Sequence, residues 1–190
     1  MRYIYRGVVV ALILFNTSCM DVATTGAQAV YNRHSIQKNF QDQYITLQAN
    51  KILKVNSEEL AHSNIAVATY HREILLVGQV DSQDKRSLAL DLVKTVPEVK
   101  AIYNEVTVGQ PLSTLTHLGD SFLTAKVKAK LIASNDVDAA QVKVVTENGV
   151  VYLMGILPKP EAQAAASLAA ETQGVRRVVT IFSYINISKG

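Results

Sequence analysis

Hydrophobic and polar residues alternate in two stretches of the chain that match each other position by position. Residues 65–78 and 142–155 align without a gap, and apolar residues recur at every second position on both sides of a polar middle. That period is typical of a half-buried β-strand. The second stretch has Asn148-Gly149 in its middle, which favours a two-residue turn between antiparallel strands. The sequence therefore predicts a β-hairpin that occurs twice. The first turn, His71-Arg72, lacks Asn-Gly and is expected to be looser or differently shaped.

Helical periodicity surrounds the first predicted hairpin. Apolar residues three and four apart predict a helix that starts near Asp42. After the hairpin, Asp81-Ser82 can cap a second helix, and Pro97 ends it. Alternation over residues 99–108 then predicts a third strand.

The same order recurs in the second half of the chain. A helix capped by Asp120 or Ser121 is predicted to run to about residue 133, ahead of the second hairpin. An alanine-rich helix with Pro160 in its first turn and a strand over residues 175–187 come after the hairpin. We therefore expect an α+β fold of two tandem αββαβ domains, each a small three-stranded mixed sheet covered by two helices.

A glycine ends each predicted hairpin, Gly78 in the first and Gly155 in the second. We expect both to be structural, because a Cβ would hinder the backbone at these positions. The predicted boundaries are residues 1–18 for a signal peptide, 19–41 for a tether, 42–110 for the first domain, 111–118 for a linker and 119–190 for the second domain.

The N-terminus has the pattern of an export signal. Arg2 and Arg6 precede a short apolar run over residues 8–15, which is followed by small polar residues and Cys19. The run is too short to span hydrocarbon, which takes about 20 helical residues. Cys19 is the only cysteine, so an internal disulfide is excluded.

The residues before Cys19 resemble the lipobox of bacterial lipoproteins. Thr17 and Ser18 suit that pattern, whereas Asn16 departs from it because an aliphatic residue is usual there. The resemblance implies that Cys19 becomes the first mature residue and carries acyl chains. Met20, in place of an aspartate, implies sorting to the outer membrane. The alternative is a general secretory signal with an incidental cysteine.

Each repeat also carries a short V-x-x-V type of motif ahead of its last strand, at residues 99–102 and 175–178. Together with the order αββαβ and the hairpin ending in glycine, this motif resembles the BON domain. The complete arrangement is similar to the dual BON-domain lipoproteins of Gram-negative outer membranes. That resemblance implies a lipid-anchored protein that faces the periplasm and supports outer-membrane integrity. It also implies that the second domain binds anionic, phosphatidylglycerol-like phospholipid through its first helix.

The residues of that helix can be divided between two faces. Leu123, Val127 and Leu131 form a core stripe, and Phe122 and Ile132 point away from it. An exposed aromatic residue beside lysines suits a helix at a headgroup boundary. The predicted phospholipid-binding residues are Phe122, Lys126, Ala129, Lys130 and Ile132.

The lipid-binding prediction for this helix has an alternative, a departure from the family and a comparison within the chain. From the residues alone, the helix could instead be solvated, with Phe122 packed against the linker or the first domain. The family usually has tryptophan at this position, and Phe122 lacks the indole N–H that favours the interface. The first helix of the first domain has fewer basic residues, Lys51 and Lys54, and is not expected to bind lipid.

Composition and charge narrow the function classes further. The net charge of +3 with 18% charged residues gives no basic excess of the kind that nucleic acid requires. No catalytic motif, phosphate loop or cofactor site is apparent, and we expect a protein that is not an enzyme. The histidines are separated in sequence and Asp136 and Asp138 lack a calcium-loop spacing, so we expect no bound metal. Two rivals to lipid binding are an adaptor that contacts envelope proteins and a secreted stress protein without lipid.

Overall fold

The computed structural model describes residues 26–185 of the chain, with side chains from residue 40 onward. The predicted signal peptide, Cys19 and its neighbours lie outside the described residues. The described part of the chain divides into two compact units, residues 26–37 and residues 38–185. The second unit contains both hairpins and both predicted domains.

The observed elements repeat the predicted order twice. The first domain consists of α1 (Gly26–Val55), β1 (Asn64–Tyr70), β2 (Glu73–Val80), α2 (Gln83–Lys94) and β3 (Ala101–Val108). The second consists of α3 (Thr114–Ala133), a 3-10 turn (Ala139–Gln141), β4 (Val142–Glu147), β5 (Val150–Leu157), α4 (Lys159–Ala170) and β6 (Arg177–Tyr184).

Both sheets have the same topology. The hairpin strands pair antiparallel, and the second hairpin strand pairs in parallel with the last strand, which gives the strand orders β1-β2-β3 and β4-β5-β6. The helix between those parallel strands is the crossover that such a pairing requires. The predicted α+β fold with two small mixed sheets is confirmed.

The starts of two helices differ from the prediction. The stretch predicted as a tether is helical from Gly26 onward, and residues 19–25 lie outside the described part. The predicted cap of α3 at Asp120 or Ser121 is wrong, because α3 begins at Thr114 and Ser113 Oγ accepts a hydrogen bond from Thr116 N at 3.2 Å. Part of the predicted linker is therefore helix. Its residues carry no core stripe, so core periodicity could not reveal it.

The two hairpin turns have the same shape, so the expected difference between them is wrong. His71 and Arg72 have φ of 49° and 69°, and so do Asn148 and Gly149. A left-handed conformation at both central residues is the geometry that matches the twist of a hairpin. The first turn reaches it without the Asn-Gly pair that favours it.

A carboxylate from the first helix of each domain holds the turn in place. Asp42 accepts hydrogen bonds from the N–H groups of both turn residues, each at 2.8 Å. Asp120 accepts the equivalent pair at 2.7 and 2.8 Å. Hydrogen bonds to a charged acceptor stabilise more than neutral ones, so they can impose a conformation that His-Arg disfavours.

The glycine near the end of each hairpin is structural, as predicted, although the strands continue past it. Gly78 has φ of 126°, and a Cβ there would lie 1.9 Å from Asn64 O. At Gly155 the backbone is ordinary, and a Cβ would lie 2.9 Å from Gln141 O. At both positions the backbone of a neighbouring segment comes so close that a side chain would collide with it, and glycine is therefore needed.

Three apolar layers hold the second unit together. One core lies between the helices and the sheet of each domain, and alternate residues of the same strands face the other domain. The layer between the sheets, here called the middle layer, contains Ala68, Leu75 and Val77 from the first domain and Tyr152, Met154 and Ile181 from the second. Each sheet is thus covered by helices on one face and by the other sheet on the opposite face.

Candidate functional site

One face of α3 fixes the helix to the second domain. Leu123, Val127 and Leu131 are buried against the sheet, as predicted. Thr124 Oγ1 donates a hydrogen bond to Thr146 Oγ1 at 2.7 Å, and Asp120 holds the hairpin turn. The orientation of α3 about its own axis is therefore set by packing and by polar contacts.

The opposite face of α3 carries an apolar ridge that points to solvent. Leu115, Leu118, Phe122 and Ile132 are 79%, 62%, 67% and 74% exposed. Their spacing alternates between three and four residues when the exposed Ala125 and Ala129 are included, which places all of them in one row. The exposed ridge is defined by these residues: Leu115, Leu118, Phe122, Ala125, Ala129 and Ile132.

One packing of Phe122 that the sequence left open does not occur. The side chain is not packed against the linker or the first domain, since two thirds of it faces solvent. Leu115 and Leu118 extend the ridge by two turns, and sequence reasoning missed both because it assigned them to a linker. The three-four spacing that they share with Phe122 is the signal that could have found them.

Lysines lie on both sides of the exposed ridge. Lys126 Nζ is 5.6 Å from the centroid of the Phe122 ring and donates to Gln173 O at 3.0 Å. Lys130 Nζ donates to Glu171 O at 3.0 Å on the same side. Lys128 lies on the other side, is exposed, and was absent from the predicted set. Both predicted lysines, Lys126 and Lys130, therefore already donate a hydrogen bond to a backbone carbonyl that follows α4.

A groove of about 400 Å³ runs beside the exposed ridge. Its walls include Phe122 and Lys126 of α3, the hairpin turn at Gly149, and Arg176 ahead of β6. A Cβ added to Gly149 would lie 3.0 Å from the Arg176 side chain, which shows that the arginine stem covers the turn. The guanidinium and the ammonium provide two cations at one groove. Arg176 belongs to the V-x-x-V motif, but nothing in the sequence placed it beside α3.

The equivalent helix of the first domain has a shorter apolar row, and its exposed cations, Lys51 and Lys54, lie at the positions that match Ala129 and Ile132 of the exposed ridge. The contacts of Asp42 and Asp120 align α1 with α3, and the exposed apolar residues of α1 include Phe40, Tyr44 and Leu47. Tyr44 corresponds to Phe122 in this alignment. The positions that correspond to the three flanking lysines of α3 are Gln48, Asn50 and Ile52.

A second groove, of about 650 Å³, lies where the two domains meet. It is lined by residues of α1 and β1 and by Lys128 and Lys143 of the second domain. Burial lowers the pKa of Lys143, an effect that Asp42 opposes and Lys128 reinforces. The Lys143 ammonium donates to Thr69 O at 2.8 Å, so it ties the two domains together.

The predicted location of His117 is wrong. This residue lies on α3 and not in a linker, and it comes close to Asp120 and to Glu147 at the end of β4. Potential ligand atoms of the three side chains are within 4.8 Å of one another.

Within the described part of the chain, every helix is too short or too polar to cross a bilayer.

Comparisons with known proteins agree with this architecture. The family model described as the BON domain matches residues 41–110 and 119–186. Outer membrane lipoprotein DolP of Haemophilus influenzae is 32% identical over 166 residues, which cover 87% of this chain and 80% of that protein. A 21 kDa hemolysin of Actinobacillus pleuropneumoniae is 36% identical over 123 residues, 65% of this chain and 63% of that protein. Osmotically-inducible protein Y of Escherichia coli is 30% identical over 143 residues, 74% and 71% of the two chains.

Proposed function

Since the chain belongs to the BON-domain family, as a dual-BON protein of the DolP type, we propose that it is a non-catalytic outer-membrane protein of the bacterial envelope. It is anchored by acyl chains on Cys19 and faces the periplasm. The second domain binds anionic, phosphatidylglycerol-like phospholipid through α3. In this way the protein supports the integrity of the outer membrane.

The exposed ridge with its flanking cations is the observation that carries this proposal. An apolar row with lysines at its sides is the arrangement by which a helix lies in the plane of a headgroup boundary. Each lysine near an anionic surface contributes about 1 kcal/mol, and salt weakens that contribution. The proposed contact set contains Phe122, Lys126, Ala129, Lys130 and Ile132, and their neighbours Leu115, Leu118 and Lys128 join it because they are exposed along the same helix.

The groove beside the ridge suits a phosphate group. Lys126 and Arg176 line it, and a guanidinium can donate two parallel hydrogen bonds to phosphate oxygens. Phe122 lines the same groove and would enter the acyl boundary next to that phosphate. A headgroup in the groove and apolar side chains in the bilayer are therefore compatible on one surface.

The acyl anchor makes weak binding by α3 sufficient. Once Cys19 is in the membrane, the second domain reaches the lipid surface as an intramolecular partner at a high effective concentration. Two acyl chains or more give stable attachment, whereas a single chain binds reversibly.

A vesicle assay with two matched variants tests the proposal. A chain that starts at Met20 should bind vesicles containing phosphatidylglycerol in preference to phosphatidylcholine, and added salt should weaken the binding. Burying a phenylalanine contributes about 2 kcal/mol, so Phe122→Glu should weaken binding by roughly 30-fold or more. Tyr44→Glu, at the equivalent position of α1, should leave it unchanged.

Two results would contradict the lipid site. Equal loss in the Phe122 and Tyr44 variants would mean that the exposed ridge has no special role. Equal binding to charged and neutral vesicles would favour an adaptor that contacts envelope proteins. Independently, the mass of the mature chain shows whether Cys19 carries acyl groups, and an unmodified mass would refute the anchor.

A further inference from the structure

Three side chains of metal-binding type meet at one point of the second domain. His117 and Asp120 are three residues apart on α3, so they face the same side of the helix, and Glu147 ends β4. Their potential ligand atoms lie within 4.8 Å of one another. Asp120 is 6% exposed and Glu147 is 9% exposed.

The two carboxylates are held by hydrogen bonds from neutral donors and not by ion pairs: Asp120 accepts two from backbone N–H groups and Glu147 accepts one from Gln79. Within residues 40–185 the ion pairs are Lys85 with Asp81 and Lys94 with Asp91, and neither involves Asp120 or Glu147. Two buried carboxylates side by side without a cation are unfavourable, because each loses hydration and each repels the other. A bound cation between them would remove both costs.

The BON fold does not need this combination of residues. Asp120 has the same turn-holding role as Asp42 in the first domain, so the fold accounts for it. The fold does not explain a carboxylate at Glu147, since the matching position of the first hairpin is Tyr70. His117 matches Asn39 in the same way. The two additional ligands therefore belong to the second domain alone.

Residues of the first domain hold two of the three side chains in place. Asn64 and Gln79 are opposite each other across β1 and β2. The side-chain nitrogen of Asn64 is 2.9 Å from His117 Nε2, and Gln79 Nε2 donates to Glu147 Oε1 at 2.7 Å. Metal-binding histidines are usually oriented by such a contact at the second ring nitrogen. With the Asn64 amide turned over, Nε2–H would donate to its oxygen and leave Nδ1 for a metal.

We propose that His117, Asp120 and Glu147 form a site for a divalent transition metal, Zn²⁺ being the best match. One imidazole and two carboxylates with an open position for water is a donor set that Zn²⁺ accepts. Ca²⁺ requires six to eight oxygen ligands, which this site does not offer. Because Asn64 and Gln79 support the ligands, the metal would also fasten the second domain to the first.

The test uses the full chain in detergent, stripped of metal with EDTA and titrated with Zn²⁺ by calorimetry. One Zn²⁺ should bind per chain with a Kd of about 1 µM or tighter. His117→Ala and Glu147→Gln should each weaken binding by about 100-fold, and His62→Ala, at an exposed histidine, should not change it. Asn64→Ala should weaken it by about 10-fold, in the range found for residues that orient metal ligands.

Thermal unfolding provides a second readout, since a metal that binds the folded chain raises its Tm. The parent chain should gain stability with Zn²⁺ and the Glu147→Gln chain should not. Asp120 is left intact because its substitution would release the hairpin turn. Absence of Zn²⁺ binding by the parent chain, or parent-like binding by both ligand variants, would overturn the proposal. Neither result would affect the test of the lipid site, because the substituted residues, His117 and Glu147, do not line the groove beside Phe122.

Discussion

Truncation of Met154 tests whether the two domains form one cooperative unit. Met154 is 1% exposed and lies in the middle layer between the two sheets. Its side chain therefore contacts the first domain as well as its own, and removing it leaves a cavity at their junction. Core methionine-to-alanine substitutions cost about 2–5 kcal/mol, and we expect about 3 kcal/mol for Met154→Ala.

Urea unfolding monitored by far-UV circular dichroism measures this cost. For a chain of this size the free energy of unfolding falls by about 2 kcal/mol per molar urea, so the midpoint should shift down by about 1.5 M. The parent chain should unfold in one transition because neither sheet can expose its half of the middle layer without the other. Ile132→Ala, at a residue that is 74% exposed, should change the stability by less than about 0.5 kcal/mol.

A charge at the same position sharpens the test. Met154→Asp places an unpaired carboxylate in a dry layer, and that cost is avoided only if the domains separate. We expect two transitions in this variant, each with a smaller urea dependence because less surface is exposed in each step. A single transition with an unchanged midpoint in both Met154 variants would refute the shared middle layer.

Two further predictions concern a glycine and an ion pair. Gly78→Ala should destabilise the chain by about 3 kcal/mol or more, because the added Cβ would collide with Asn64 O and the backbone has a positive φ. Gly155→Ala should cost less, because the backbone at Gly155 is ordinary and the contact is milder. A larger loss of stability for Gly155→Ala than for Gly78→Ala in urea unfolding would contradict this explanation. The pKa of Asp81 lies below its usual value, chiefly because Lys85 donates a hydrogen bond to it. The stability it adds is present above the usual carboxyl pKa of about 4 and is lost as pH falls through the lowered value. In an NMR titration, Lys85→Met should raise the Asp81 pKa, and an unchanged pKa would count against the pairing.

The hairpins and the order of elements could be predicted because their signals are local. Alternation at period two and the glycine at each hairpin end are properties of neighbouring residues, and the packing of the sheets did not change them. The turn at His71-Arg72 was predicted wrongly because its shape is imposed by Asp42, which is distant in sequence. A carboxylate from another element can override turn propensity, and no local pattern reports it.

The candidate site was only partly predictable for a related reason. Phe122 and Ile132 were placed on the correct face, since helical periodicity fixes the angle between a core stripe and its opposite. The start of α3 was predicted too late in the chain, because Leu115 and Leu118 point to solvent and do not extend the core stripe. Arg176 and the approach of Glu147 to His117 depend on tertiary packing that periodicity does not encode.

The middle layer also has a consequence for the origin of the chain. Leu75 and Val77 occupy the same positions in the first domain as Tyr152 and Met154 do in the second. The two copies therefore meet through the same face, which is the arrangement of an isologous homodimer. Fusion of the two genes of such a dimer would preserve the contact and free each half to diverge. A second domain expressed alone should then self-associate, because its half of the middle layer would be exposed and two copies could bury it against each other.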